Sequence, residues 1–425
     1  MHILLIAYEF PPIIAAQSLR WFYLANGLAQ LGIKIDVVCP KFPRLMRFPV
    51  ELDLSITEHR VWPGFLTGIP HALLSSKEKS LFSANLMLQE KLSFVQPKNI
   101  ISAGRKIFNQ FIFPDLRTEW YPFARSKINN LAKKYRFDAV ISSHEPGVDL
   151  LLGLYAKKKF GMNFIADLGD PLVTPYSPNW RKKWDSKFER YIMHNADKIV
   201  VTNDNVQKLL CSEHNVDDDL KIMLIPQGFP EEKFYTTFNS IALPSGMLNI
   251  VYTGNFYHDF RNPNNFACAL KLLNDKNIAL TIVGDNHQFL PLFSEIPNVR
   301  MFGKTEHFSC LALQKEADVL LNIGNVQDYQ LPGKIYEYLG AKKPIFHIQT
   351  GSTDFGAELI KKSNAGIVAK NNIGVIQNAL KEIITSWKSG HLKNKYLPNH
   401  LAIGQHSWIQ RAQLYKHLLE SLHQK

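Results

Sequence analysis

The second half of the sequence contains glycine, amide and charged residues whose types and spacing suit a diphosphate site. They are Gly254, Asn255, Arg261, Gly284, Gly333, Lys334 and Glu337. Gly254 and Gly284 each follow a strand-like run, and the ends of such runs are where a parallel sheet binds its ligands. Lys334 opens a helical stretch, and an amine at a helix amino terminus, with Arg261 nearby, would bind a diphosphate through charge-assisted hydrogen bonds. Glu337, one turn inside that helix, would accept hydrogen bonds from ribose hydroxyls.

Two polar groups in the first half also follow strand-like runs. His144 comes just after the run 137–142, and Asp167 and Asp170 end the next run. A histidine or a carboxylate in such a position can act as acid or base on a bound hydroxyl. Each group also has a structural interpretation. His144 could close a hydrogen bond inside its domain, and Asp167 and Asp170 could belong to a capped turn. We take His144 and Asp170 as the catalytic candidates.

These residues are positioned by short β-branched runs that alternate with amphipathic helical stretches. In the first half, the strand-like runs are 2–7, 34–39, 137–142, 163–167, 198–202 and 221–226. A second series comprises 248–253, 279–283, 299–302, 319–323, 344–348 and 366–369. Buried strands joined by helices predict a parallel, doubly wound α/β sheet, so two series predict two Rossmann-like domains.

The domain boundaries follow from the break between the two series. The polar, small-residue stretch 238–246 is the predicted linker between a first domain, 1–237, and a second domain, 247–405. The segment 406–425 predicts one more amphipathic helix. The range 41–114 in the first domain has no strand–helix period and predicts an irregular insertion.

Composition limits the partners of the chain. Its 425 residues are too many for one hydrophobic core, and its net charge of +12 favours anionic partners. No helix-turn-helix, zinc-finger or RNP pattern is present, so we do not expect nucleic acid to be the partner. The four cysteines are scattered and are expected to be free thiols. No apolar run approaches the ~18 residues that span a bilayer, and we expect a cytoplasmic protein.

The segment 41–48 interleaves basic residues with phenylalanine, leucine and methionine. A basic and apolar segment of this kind could dock peripherally on an anionic membrane. The alternative is a helical insertion that packs on its own domain. Both interpretations stay open on the sequence alone.

Six short segments, spread in order over nearly the whole chain, carry a family resemblance. They are 8–12 (YEFPP), 113–115 (FPD) with Trp120, 143–146 (SHEP), 166–171 (ADLGDP), 225–229 (IPQGF) and 333–339 (GKIYEYL). Together they resemble GT-B glycosyltransferases, specifically the large retaining family 4 that uses nucleotide-sugar donors. The chain has Ala15 and Ala16 where that family often has a glycine pair, Tyr329 where the first of two glutamates is common, and Asn255 where an arginine is often found.

The resemblance implies a GT-B fold, with two Rossmann-like domains that face each other across a cleft and a carboxyl-terminal helix that crosses back to the first domain. It implies that the first domain binds the acceptor and the second binds the donor. Arg261 and Lys334 would bind the donor's diphosphate, Glu337 would hold the ribose, and His144 would lie near the transferred sugar. No metal is expected, because cationic side chains and a helix terminus would offset the charge of the leaving group.

The expected function is the transfer of a sugar from a nucleotide-diphosphate sugar to a glycan or lipid-linked acceptor. The resemblance also implies retention of anomeric configuration, in cell-surface polysaccharide or lipopolysaccharide synthesis at the inner membrane face. One alternative is a non-catalytic GT-B subunit that binds a glycan or a partner enzyme, as Tyr329, Ala15 and Ala16 would suggest. The other is a nucleotide-sugar epimerase of the same architecture, against which the helix 333–339 argues.

Overall fold

The computed structural model describes residues 1–42, 48–65, 67–68, 113–173, 179–214, 221–326, 333–396 and 398–422. The chain divides into two units. The first comprises Met1–Pro226 together with Ile409–Lys425, and the second comprises Gln227–Trp408. Residues 227–237 lie in the second unit, where the Phe234 ring stacks on Phe308 with 5.5 Å between centroids. The stretch 238–246 follows them in that unit.

The described strands of the first unit form one parallel sheet. They are β1 (His2–Ile6), β2 (Lys34–Pro40), β3 (Ile56–Val61), β4 (Ala139–His144), β5 (Asn163–Leu168), β6 (Lys198–Val201) and β7 (Ile222–Leu224). Their order across the sheet is β3-β2-β1-β4-β5-β6-β7. The chain reverses its direction of winding between β1 and β4, which makes the carboxyl ends of these two strands the topological switch point.

Helices connect successive strands of this sheet. In the described residues they are α1 (Ala16–Gln30), α2 (Tyr121–Lys134), α3 (Gly147–Phe160), α4 (Asn179–Asn195) and α5 (Asp204–His214), with a 3₁₀ turn at Leu116–Trp120. Strands β1, β4 and β5 are buried along nearly their whole length. Near-continuous burial is what helices on both faces of a parallel sheet impose.

Strand β3 lies in the range 41–114, for which the sequence predicted an irregular insertion. Within Ile56–Val61, Ile56 is buried while Thr57 and Glu58 are exposed, as befits a strand at the edge of the sheet. An edge strand needs neither an apolar run nor a clear alternation, so the prediction missed it. Residues 43–47, 66 and 69–112 of that range lie outside the described residues.

The second unit repeats this architecture. Its described strands are β8 (Leu248–Thr253), β9 (Ile278–Val283), β10 (Val299–Phe302), β11 (Val319–Ile323), β12 (Ile345–Gln349) and β13 (Gly366–Lys370). All pair in parallel, in the order β10-β9-β8-β11-β12-β13. The switch point of this sheet therefore lies between β8 and β11.

The described residues of the second unit also form helices. They are α6 (Lys233–Thr236), α7 (Asn264–Leu273), α8 (Leu290–Phe293), α9 (His307–Glu316), α10 (Lys334–Ala341), α11 (Phe355–Lys362), α12 (Ile373–Lys388), α13 (Leu392–Lys395) and α14 (His400–Gly404), with a 3₁₀ turn at His287–Phe289. Side chains cap three of the longer ones: Glu306 accepts backbone N–H groups of α9, Asp354 of α11 and Asn372 of α12. Each cap satisfies amide groups that the first helical turn leaves without a carbonyl.

The last helix, α15 (Trp408–Ser421), brings the chain into the first unit. The Tyr415 hydroxyl donates to Asp167 Oδ2 at 2.9 Å, and its ring meets Trp21 edge to face. Arg20 donates to both oxygens of Asp167, at 3.0 and 3.1 Å, and to the carbonyl of Ile225 at 3.0 Å. One buried ion pair thus ties α15 and the end of the β7 segment to the first sheet.

In the part of the chain that the structure describes, no helix combines the length and the apolar composition needed to cross a membrane.

Candidate functional site

In the second unit, two glycines end adjacent strands and bring their backbones close together. Gly254 follows β8 with φ +150°, and Gly284 follows β9 with φ +145°, which are conformations that favour glycine. A Cβ built on Gly284 would overlap the Gly254 carbonyl oxygen. Asn286, which is buried, donates to that carbonyl at 2.7 Å. Glycine at both positions therefore allows the two strand ends to approach each other closely.

Lys334 and Arg261 lie on either side of Gly254. The Lys334 ammonium donates to the Thr253 carbonyl at 2.6 Å, and Arg261 Nη1 donates to the Asn255 carbonyl at 3.5 Å. Burial lowers the pKa of Lys334, and the Glu337 carboxylate opposes that shift. Two cations that flank a glycine peptide make a suitable pair of ligands for a diphosphate.

Arg261 also bridges the switch point of the second sheet. Its Nε and Nη2 donate to Asn325 Oδ1 at 3.1 and 2.8 Å, and Asn325 follows β11 while Asn255 follows β8. The Asn255 side chain is engaged on the other side, where it accepts the backbone N–H of Asp285 at 2.9 Å. Asn325 was not among the predicted residues, although its place after a strand is the same signal that identified Gly254.

Glu337 joins this group through Gln314, a residue of α9 that the sequence did not single out. The Gln314 amide donates to Glu337 Oε2 at 3.2 Å and to Thr253 Oγ1 at 2.9 Å. Gln314 is fully buried, and no local pattern distinguishes it from other helical glutamines. Gly333 lies at the amino-terminal cap of α10, directly before Lys334. The structure therefore brings the predicted donor-binding residues together, and it adds Gln314, Asn286 and Asn325.

In the first unit, His144 ends β4 and Asp170 follows the adjacent strand β5. His144 is only 6% exposed, and its Nδ1 has no hydrogen-bond partner among the described residues. The backbone N–H of Gly169 donates to the His144 carbonyl at 3.2 Å, which holds the two strand ends together. Burial raises the pKa of Asp170, the nearby Glu145 carboxylate raises it further, and His144 opposes the shift. These two predicted residues are thus neighbours near the switch point of the first sheet.

The sequence grouped Asp167 with Asp170, and the structure separates their roles. Asp167 is fully buried in its ion pair with Arg20, whereas Asp170 is only half-buried. The Glu145 carboxylate, after β4, interacts electrostatically with Asp170, and Glu9, after β1, interacts with Glu145. Neither was predicted as a site residue. Their places after neighbouring strands of the sheet could have identified them.

Glu189 on α4 holds the loop that carries Asp170. Its Oε2 accepts the backbone N–H groups of Leu172 and Val173, at 2.7 and 3.3 Å, and its Oε1 pairs with His214 Nε2 at 2.8 Å. Glu189, His214 and Glu213 also have potential metal-ligand atoms within 4.8 Å of one another. Because both Glu189 oxygens already have protein partners, we interpret this group as a structural clamp.

Tyr329, which replaces the glutamate common in the resembling family, lies outside the described residues, as do residues 43–47 of the basic segment. Ala15 and Ala16 stand where the family often has a glycine pair. Ala15 is the amino-terminal cap of α1, and Ala16 is the first residue of that helix. Neither alanine contributes a side-chain hydrogen bond to the cap.

Solved structures share this fold at low sequence identity. Sucrose-phosphate synthase from Thermosynechococcus elongatus is 17% identical, with a TM-score of 0.62 over 99% of both chains. HepE from Anabaena, solved in complex with UDP, is 11% identical, with a TM-score of 0.60 over 99% of this chain and 100% of that one. WaaG, a glycosyltransferase involved in lipopolysaccharide biosynthesis, is 13% identical, with a TM-score of 0.56 over 97% of this chain and 94% of that one. The expected GT-B fold is confirmed.

No curated protein shows significant sequence similarity to this chain. The family model described as Glycosyltransferase Family 4 matches residues 18–233, slightly more than half of the sequence. This match includes β4, β5 and the candidate residues His144 and Asp170. The chain therefore belongs to glycosyltransferase family 4.

Proposed function

We propose that the chain transfers a sugar from a nucleotide-diphosphate sugar to a glycan or lipid-linked acceptor. The observation that carries this proposal is the placement of Lys334 and Arg261 on the carbonyls either side of Gly254, at the switch point of a parallel sheet. HepE, of the same fold, was solved with UDP, which supports a uridine nucleotide as the first donor to test. In this proposal the donor site lies in the second unit.

The reaction forms a bond from the anomeric carbon to the acceptor oxygen and breaks the bond from that carbon to the diphosphate. Negative charge grows on the departing diphosphate, and Lys334 and Arg261 would stabilise it. Glu337, oriented by Gln314, would accept hydrogen bonds from the ribose. With these groups in place, we propose that no metal is required. His144 would bind the transferred sugar, and the Asp170 carboxylate would accept the proton that the acceptor hydroxyl loses.

The finer parts of the proposal rest on family resemblance and on charge. They are retention of configuration, a place in cell-surface polysaccharide or lipopolysaccharide synthesis, and work at the cytoplasmic face of an anionic membrane. The net charge of +12 supports the last of these. Analysis of the product's anomeric configuration by NMR tests the first.

A thermal-shift screen against UDP-, GDP- and ADP-sugars tests the donor site. A true donor at 100 times its Kd stabilises its unit by about 2.7 kcal/mol.

We expect Lys334→Ala to weaken nucleotide binding by about 1.5–3 kcal/mol, because it removes a charge-assisted hydrogen bond. The control is Lys381→Ala, which changes an exposed lysine of α12 in the same unit. Equal affinities for both variants would contradict the diphosphate assignment.

Donor hydrolysis and transfer assays separate the alternatives. A non-catalytic subunit would bind the nucleotide sugar without hydrolysing or transferring it. An epimerase would change the sugar of the donor in the absence of any acceptor. A transferase would release nucleoside diphosphate, and the donor that remains unreacted would keep the configuration of its sugar. This pair of results supports the transferase.

A further inference from the structure

Helix α4 presents a continuous aromatic and basic stripe on the surface of the first unit. Its members recur at helical spacing and are exposed: Trp180, Lys183, Trp184, Lys187, Arg190 and Tyr191. The exposed fractions of the three aromatic residues are 49% for Trp180, 63% for Trp184 and 41% for Tyr191. We call this set the α4 stripe. Large rings are rarely left exposed in such a row on one helix face unless the face contacts something.

Helix α4 buries its apolar residues on the face opposite the α4 stripe. The opposite face buries Phe188, Ile192 and Met193 against the first unit. Both acids of this helix are also on the buried face, Asp185 in a pair with Arg181 and Glu189 in the clamp with His214. The stripe therefore carries three cations and no acid.

Neighbouring residues extend the same chemistry beyond α4. The Lys158 ammonium at the end of α3 lies 5.0 Å from the centroid of the Tyr191 ring, and Lys159 beside it is exposed. On the other side, the Phe113 ring, 36% exposed, lies 6.4 Å from the Trp184 ring. The surface is thus a band of rings bordered by ammonium groups.

We propose that the α4 stripe docks the first unit on an anionic lipid bilayer. Tryptophan and tyrosine favour the interface of a membrane, where the ring meets the acyl chains and the polar edge stays wet. Lysine and arginine between them would meet the negative lipid headgroups. The outer face of α4 is basic and aromatic, and its apolar inner face is held by its own domain. This arrangement suits a membrane surface better than a nucleic-acid strand, because a strand needs a groove lined with stacking platforms.

This surface is separate from the proposed donor site. Vesicle binding requires neither donor nor acceptor, so the docking surface and the proposed transfer reaction can fail independently. If both hold, a lipid-linked acceptor would be presented to the unit that carries His144 and Asp170.

The test is flotation of the full chain with vesicles of phosphatidylcholine alone and of phosphatidylcholine mixed with phosphatidylglycerol. We expect binding to the mixed vesicles that falls as salt rises. Lys183→Gln/Lys187→Gln should lower the partition coefficient about 25-fold, since each lysine near an anionic surface contributes about fivefold. Trp184→Ser should lower it about tenfold or more through lost apolar contact. Brominated lipid should quench tryptophan fluorescence less in that variant.

The controls match each change elsewhere on the surface. Lys381→Gln/Lys388→Gln removes the same charge from α12, and Leu272→Ser removes a residue of α7 that is 67% exposed. Both should bind vesicles within about twofold of the original chain. Because the stripe is exposed, its variants should keep their melting temperature and nucleotide affinity.

Several results would overturn the proposal. The chain could bind neutral and mixed vesicles equally, or bind neither. The stripe variants could also bind mixed vesicles as tightly as the α12 control. Retention of the chain on duplex or single-stranded DNA, lost in the stripe variants while vesicles are not bound, would assign the surface to nucleic acid instead.

Discussion

His144 brings a nearly inaccessible imidazole to the end of β4, and within the described part of the chain its Nδ1 has no hydrogen-bond partner. Gln17, in the first turn of α1, has a buried Oε1 that also has no hydrogen-bond partner among the described residues. Its side-chain Nε2 lies beside the Cα of Gly169. A buried polar atom without a partner costs about 1–3 kcal/mol. Such atoms at the end of a parallel sheet are suited to hydrogen-bond a ligand such as a sugar hydroxyl.

We expect His144→Ala to lower kcat by about 10²-fold or more, a typical loss for a positioned polar group that acts in the transition state. Steady-state transfer or donor hydrolysis measures this effect. Nucleotide affinity should not change, because the residues proposed to bind the nucleotide are in the second unit. The Nδ1 has no hydrogen-bond partner among the described residues, so the melting temperature should fall only by the loss of the packing of the imidazole ring.

The contrary outcomes for His144 are distinct. A folded variant with full activity would remove His144 from the proposed mechanism and leave Asp170 as the next residue to test. A variant that loses stability, with activity falling only in proportion to the folded fraction, would mean that His144 is structural.

At the scale of elements, Gln314 connects three parts of the second unit. It extends from α9 to the end of β8, through Thr253, and to α10, through Glu337. The Tyr338 hydroxyl of α10 accepts the Thr253 backbone N–H at 3.0 Å, so α10 is also tied directly to β8. We infer that Gln314 orients the Glu337 carboxylate, whereas Tyr338 fixes the helix that carries it.

Gln314→Leu removes both donated hydrogen bonds and keeps a side chain of similar size. We expect nucleoside diphosphate affinity to fall about tenfold, or about 1.4 kcal/mol, because Glu337 would no longer be held for the ribose. Inorganic pyrophosphate, which has no ribose, should bind with unchanged affinity. Calorimetric titration with the two ligands makes the comparison.

The control is Gln377→Leu, the same change on α12 of the same unit, which should alter neither affinity. Equal losses for pyrophosphate and nucleoside diphosphate would contradict a ribose-specific role for Gln314. They would indicate that the substitution disturbs the whole strand end.

The sequence predicted elements well where their own residues decide them. The apolar runs of β1, β4, β8 and β11 are buried in the structure as expected, and their carboxyl ends identified Gly254 and His144 as candidates. Strand β3 was missed because its edge position leaves a polar sequence. Gln314 was missed for another reason: its role depends on contacts with residues 23 and 61 positions away in the chain, which no local pattern encodes.

At the scale of the whole chain, the first unit is assembled from distant segments around one ion pair. Arg20 and Asp167 are fully buried, and their partners come from Ile225, where the chain leaves the unit, and Tyr415, after it has returned. Burial strongly raises the pKa of the Tyr415 hydroxyl, and Asp167 raises it further, so the hydroxyl remains a donor. Charged groups buried this deeply require every partner to be present.

We expect Tyr415→Phe to destabilise the first unit by about 1.5–3 kcal/mol, the range for a hydrogen bond to a charged group. Hydrogen exchange followed by mass spectrometry can assign the loss to a unit. Peptides from α1 and β5 should exchange faster, and peptides from β8 and β9 should not change.

Tyr396→Phe supplies the matched control, because the Tyr396 hydroxyl donates at 2.8 Å to Glu382, a carboxylate of the second unit that is exposed to solvent. That change should cost about 1 kcal/mol or less. If Tyr415→Phe accelerates exchange equally in both units, or in neither, the ion pair does not support the first unit in the proposed way.

The return of α15 to the first unit also sets an order for events on the ribosome. Residues 1–226 emerge first, but the Asp167 carboxylate lacks its Tyr415 partner until α15 has been synthesised. The second unit, Gln227–Trp408, is continuous in sequence and can complete its core earlier. The first unit can therefore complete its buried ion-pair cluster only after every residue of the second unit has been synthesised.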